Sequence, residues 1–204
     1  MALALLELYR ETGNHTYFTG AMSGFNFERQ HFSPQFQNWP DLREQPATGP
    51  SGPLTYGEAW CHGAPGIALS RLRAWQLTGD NSFRQEAEIA LNTTHRGIHA
   101  LVTSPAAQPS FSLCHGLAGN ADIVLEGSRL LHSDLYRQVA EAAGNYGVVR
   151  YHRTGLHWPS GVNDPSGATP GLGETPGLML GLAGTGYFYL RLAFPEKVGS
   201  LLLC

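Results

Sequence analysis

Two cysteines and a histidine draw attention because their surroundings repeat. WCHGAPGI begins at Trp60 and FSLCHGLAG at Phe111, so Cys-His-Gly occurs twice, each time with a second glycine three residues after the first. A third version, LMLGLAGTG from Leu178, keeps the glycines and drops Cys-His. Cys61, Cys114 and His115 are therefore candidate metal ligands. Two sulfurs and one imidazole suit zinc, and three protein ligands leave a fourth tetrahedral position open to a reactant. Each cysteine stands just before a helix-like apolar run, where the partial positive charge of a helix start favours thiolate over thiol. Matching positions in successive repeats bring the two sulfurs to the same end of a bundle. Cysteine is also a common small buried hydrophobe, and it is the repetition that favours ligation. A Cys-x-x-Cys zinc knuckle is absent.

The elements that must position these residues are helical. The Gly-x-x-Gly segments at Gly63, Gly116 and Gly181 recur at intervals of roughly 50 to 65 residues, room for two helices and two connections. Helix-like runs follow each: Ile67 to Leu77, Ile123 to Leu131, and Tyr187 to Leu192, apolar nearly all round as buried helices are. Second, half-exposed helices are expected where Phe83, Ala87, Ala90 and Leu91, and then Leu135, Val139, Ala142 and Tyr146, fall at helical spacing. Thr12-Gly13-Asn14 and Thr78-Gly79-Asp80 end first helices with a glycine suited to the left-handed cap. The opening run Ala2 to Tyr9 reads as the later part of another buried helix. Ser33 to Pro53 and Tyr151 to Gly177, rich in Pro and Gly, read as irregular connections, either walls of a site or surface excursions. The repeated glycines are expected chiefly to let helices pack closely. They are not a nucleotide fingerprint, which needs a preceding strand.

Composition narrows the function classes. Charged residues make up 14% of the 204, and the net charge of −3 offers no electrostatic case for nucleic acid or an anionic membrane. No uninterrupted apolar stretch is long enough to span a bilayer. MALALLELYR lacks the basic start of a signal peptide, and Glu7 interrupts its apolar run. Three cysteines do not make a disulfide framework, so reduced thiols and a cytoplasmic setting are expected, with Cys204 incidental.

WCHGAPG and SLCHGLAGNAD, together with NWPDLR at Asn38, the tail from Pro176 and the initial ALALLELYRETG, resemble the lanthionine synthetase C-like family. More narrowly, the chain looks like the C-terminal cyclase region of class II, bifunctional lanthipeptide synthetases. The resemblance implies an all-α fold, an α/α toroid of seven helical hairpins of which residues 1–204 form about half, as a single incomplete domain truncated at its N-terminal side. It also implies Zn2+ on Cys61, Cys114 and His115. The implied reaction adds peptide cysteine thiols to dehydroalanine or dehydrobutyrine, closing thioether rings in a dehydrated precursor peptide. The implied partners are a missing N-terminal half and a dehydratase region.

The addition leaves an enolate that must be protonated at the α-carbon, so an acid is required. The histidine and upstream acidic residue that usually serve the family would precede Met1. His62 remains as the catalytic candidate, either an acid or a substrate-orienting group, or merely part of the local turn. The arginine that some stand-alone members carry four residues before the first cysteine is Gly57 here. His15, His31, His152 and His157 read as surface or packing residues. Two alternatives stand beside the cyclase: a catalytically incomplete zinc-binding fragment, and a toroidal glycoside hydrolase drawing on Glu58, Asp122, Asp164 or Glu174.

Overall fold

The computed structural model describes residues 1–43, 54–162 and 173–203. Asp164, Cys204 and the middle of both long connections lie outside the described residues. Helix α1 (Ala2–Thr12) turns back into α2 (His15–Gln30), α3 (Ala64–Thr78) into α4 (Asn81–Thr103), and α5 (Leu117–Leu131) into α6 (Asp134–Gly147). A π-helical turn, Val148–His152, extends α6, and α7 (Leu182–Ala193) precedes a 3-10 turn at Leu201–Leu203.

One local chemistry turns the first two hairpins. Thr12 and Thr78 donate their hydroxyls to Leu8 O and Ala74 O, at 2.6 and 2.7 Å, satisfying carbonyls of the last helical turn. Gly13 and Gly79 then take the left-handed conformation at φ 67° and 71°. Asn14 and Asp80 cap the next helix, accepting from the backbone N–H two residues on. In the third hairpin His132 occupies the left-handed position and Ser133 is the cap.

The first helices of the hairpins pack in a row, α1 on α3, α3 on α5 and α5 on α7, with α4 and α6 outside them. The fold is thus all-α with inner and outer helices, an arrangement compatible with an arc of an α/α toroid. Helix α5 is buried along Leu117 to Gly127, with Leu69, Leu72, Leu91, Ile98 and Phe188 around it. Two guanidiniums are buried with the apolar core. Arg71 joins α2, α3 and α4 through Glu28 and Glu86, both at 2.6 Å. Arg191 on α7 bonds Asp122 and Glu126 on α5. Each meets two carboxylates, which offset part of the cost of taking its charge out of water.

Three faces differ from the sequence expectation: α7 buries Phe188 but leaves Leu182 and Leu190 exposed, rather than being buried all round, and α1 and α6 depart as well. Helix α1 buries only Ala2 and Leu6 and leaves Leu8 exposed, because its other side borders an open cavity rather than a packed neighbour. Helix α6 buries Tyr136, Val139, Ala140 and Ala143, while Leu135 and Ala142 face solvent. The face is rotated because Gly144 and Gly147 admit the side chains of Leu192, Tyr189 and Phe111, and Tyr136 reaches Asn92 on α4 at 3.1 Å.

The repeated glycines do allow close approach, but of a loop rather than another helix. At Gly66, Gly119 and Gly184 a Cβ would overlap the carbonyl oxygen of the residue six positions earlier, Trp60, Leu113 and Leu178. In every repeat the preceding loop folds back onto the first turn of its own helix. Gly184→Ala should therefore destabilise the protein by roughly 2–4 kcal/mol, since backbone must shift to relieve the overlap. Gly186→Ala, two residues on in α7 with open space around it, should stabilise by about 0.5–1 kcal/mol. Urea unfolding of the two variants measures the contrast.

Candidate metal site

Cys61 sits on the tight turn between two short strands that the sequence pattern does not announce, β1 (Glu58–Ala59) and β2 (His62–Gly63), paired Glu58↔Gly63 and Ala59↔His62. Asn38 holds this turn at the mouth of α3. Its amide donates to Gly57 O at 3.1 Å, and its Oδ1 accepts from Ala64 N at 2.7 Å and from Trp39 N at 2.8 Å. In the next two repeats a loop carbonyl takes that N–H instead, Ser110 O from Leu117 and Thr175 O from Leu182, both at 2.8 Å.

Neighbouring repeats are stapled by side chains. Asn120 on α5 donates to Glu58 O at 2.9 Å, and the equivalent residue of α7, Thr185, donates to Phe111 O at 2.9 Å. The backbone adds Cys114 N to Met179 O at 2.9 Å. The turn bearing Cys61 is thereby laid against the loop bearing Cys114 and His115.

The structure brings the three sequence-predicted ligands together. One ligand atom from each of Cys61, Cys114 and His115 lies within 4.8 Å of the others, the one such group of three or more metal-binding side chains among the described residues. Tetrahedral zinc with these donors needs separations of about 3.5–3.8 Å, so a contraction of about 1 Å closes the set. His115 is already oriented. Its Nε2 lies 2.8 Å from Gly161 O, which can only accept, so the ring proton is on Nε2 and the Nδ1 lone pair is available to a metal.

The nearby helix start does not lower the pKa of the Cys114 thiol in the metal-free chain. Burial, followed by the neighbouring Cys61 thiol, pushes the Cys114 thiol up to about 11. The cysteine stands ahead of the first helical turn, and desolvation outweighs the partial charge there. A divalent ion reverses this balance, since coordination deprotonates the thiol outright. The donor set therefore fits a soft, tetrahedral cation.

His62 lies beside this group, with Nδ1 3.4 Å from Cys61 Sγ and 3.0 Å from Arg43 Nη2. Its ring fills the space above Gly57, where any Cβ would collide with Nε2. Arg43 and Asp41, which lie in NWPDLR, are not among the candidates that residue type and spacing single out. Their hydrogen bond holds the Asp41 carboxyl well below the usual carboxylate range and raises the Arg43 guanidinium in turn. Two opposite charges two residues apart, in a chain poor in charge, were the signal. A cavity of about 880 Å³ opens against Arg43, Cys61 and His62, bordered by Trp39, Trp60 and Leu8.

None of the remaining described candidates joins the Cys2His group. Glu58 turns toward α4 and lies over Gly97, its pKa raised by burial. Asp122 bonds Arg191 and Ser200. Glu174 accepts from Trp158 N and pairs with His157. His15 packs against Tyr9 and Phe18, His31 against Phe27, and His152 is exposed.

An all-α repeat of helical hairpins presenting a Cys2His cluster at the helix mouths defines the class. Lanthionine synthetase C-like protein is the family that matches, over residues 1–203, and the chain belongs to it.

Protein purified without chelator should carry about one tightly held metal ion per chain, and Cys61→Ala or Cys114→Ala should abolish it, as read by elemental analysis. In the metal-free protein, Cys114 is protonated below its raised pKa. Its alkylation rate should therefore climb about tenfold per pH unit and level off only near pH 11. Mass spectrometry of iodoacetamide-treated samples reads that profile.

Proposed function

We propose that the chain is a zinc-dependent lanthipeptide cyclase of the class II type, adding peptide cysteine thiols to dehydroalanine or dehydrobutyrine. The observation that carries this reading is the convergence of Cys61, Cys114 and His115 beside an accessible cavity, in a chain of the lanthionine synthetase C-like family. Cys61 and Cys114 are free thiols, so both sulfurs are available as ligands. With His115 they would hold zinc and leave one position for a reactant. Bound zinc supplies a Lewis acid at which a thiol ionises at neutral pH.

The chain's own residues supply the rest. Gly161 O fixes the ring of His115. Trp39, Trp60 and Leu8 form apolar walls that take up the peptide and limit water near the reacting sulfur. Arg43 donates to His62 Nδ1, so the ring proton of His62 resides on Nε2. We assign His62 the handling of the proton that returns to the α-carbon. The substrate is a dehydrated precursor peptide, and a dehydratase acting on serine and threonine is the partner that must supply it. No described helix is long and apolar enough to cross a membrane, and the free thiols support a cytoplasmic setting.

Incubation of the zinc-loaded chain with a dehydrated, cysteine-containing peptide should consume thiols without changing the peptide's mass, counted as lost maleimide adducts. Cys61→Ala and Cys114→Ala should each slow this roughly a hundredfold or more. His62→Phe should lower kcat by about a hundredfold while zinc content is unchanged. Bound zinc with no thiol consumption would favour the incomplete-fragment reading.

A further inference from the structure

Conjugate addition places negative charge on the carbonyl oxygen of the dehydroamino acid, and nothing in the Cys2His set is built to receive it. We infer that Arg43 is a catalytic residue that donates a hydrogen bond to this oxygen. The inference rests on the cyclase reading above.

Three observations support it. The first is placement: the Arg43 guanidinium reaches His62 Nδ1, next to Cys61, and borders the same cavity as both. Cys114 and His115 do not border that cavity, so a peptide entering it meets the site from the Arg43 side. The second is charge. Among the residues lining the cavity Arg43 is the one arginine or lysine, set against Glu7, Glu11, Glu28 and Asp41. Among the described residues that line the cavity it is the one permanent cation available to an oxyanion.

The third is rigidity. Asp41 accepts from Arg43 Nε at 2.8 and 3.1 Å, from Nη2, and from the Arg43 backbone N–H at 3.0 Å. The Asp41 backbone is itself pinned to Thr55 O at 2.9 Å. The Asp41 side chain is only 10% exposed while that of Arg43 is 61% exposed. The carboxylate is thus sequestered in the fold and holds out a guanidinium oriented before substrate arrives. Its bonds use the Nε–Nη2 edge, and Nη1 has no carboxylate partner among the described residues. A fixed donor of this kind needs no reorganisation as charge develops.

The step balances without a further reagent. The ionised thiol forms the S–Cβ bond and the Cα=Cβ π bond breaks, its electron pair spreading over Cα and the carbonyl oxygen. Arg43 donates an N–H to that oxygen. A proton, equal to the one the thiol released, then adds at Cα and restores the carbonyl.

The test compares Arg43→Gln, Arg43→Lys and Arg43→Ala with the unmodified zinc-loaded chain on a dehydrated peptide carrying one cysteine. Loss of an oxyanion donor should lower kcat of Arg43→Gln by about 100- to 1,000-fold with KM changed less than about threefold. Zinc content should be unchanged, Arg43→Lys should recover at least tenfold of the loss, and added guanidinium should restore part of the rate of Arg43→Ala. An active unmodified chain whose Arg43→Gln variant keeps kcat within threefold overturns this inference alone. So does loss of zinc in that variant, which would make Arg43 a support of Cys61. An unmodified chain that binds zinc and does not cyclise removes the cyclase reading and the inference with it.

Discussion

The site depends on a loop folding back over the first turn of each inner helix. The contact is backbone against backbone: a loop carbonyl rests on a glycine of the helix start, six residues later in the chain. This is possible only where no Cβ intervenes, and it sets the loop at one height above α3, α5 and α7. Side-chain staples then join one repeat to the next, Asn120 to Glu58 O and Thr185 to Phe111 O. Cys61 and Cys114 occupy equivalent points of loops so fixed, and neighbouring inner helices place those points side by side. The Cys2His cluster is a consequence of the repeat rather than an addition to it.

Charge is used sparingly, and its most buried pairs bind helices together. Arg71 and Arg191 are buried and meet carboxylates from neighbouring helices, which commits those helices to one register because any shift would strand a charge. Arg43 is the contrasting case. Its carboxylate partner is the shielded member of the pair and its guanidinium faces the cavity. The same chemistry therefore locks the scaffold when both members are enclosed and presents a usable cation when only the acid is.

The two long connections have a definite share in the site where they are described. The first supplies Asn38, Asp41 and Arg43, and the second supplies the Gly161 carbonyl that orients His115. Each acts on a different member of the ligand neighbourhood, so the cluster is braced from both sides. His62 and Gly57 are coupled in the same way: the imidazole occupies the volume that a side chain at position 57 would need.

Local chemistry written in consecutive residues is legible in the sequence itself. Helix ends at Thr12-Gly13-Asn14 and Thr78-Gly79-Asp80 depend on residues in contact along the chain, and so does the alternation of inner and outer helices. Cys61, Cys114 and His115 could be nominated because the repeat itself reports which loops share an environment. Features set by contacts between distant segments could not be read this way. The buried face of α6 was displaced because glycines at 144 and 147 chose its neighbours. The Cys114 thiol was pushed toward its neutral form by enclosure against Cys61, which no helix-end argument foresees. Arg43 comes within reach of His62 only once Asn38 has tied its connection to Gly57 and Ala64. Sequence alone thus determined most of the helices and the thiol and imidazole donors on offer, because backbone propensity and donor chemistry are local. Tertiary structure decided distances, protonation and the cation beside the site, because these follow from which surfaces exclude water together.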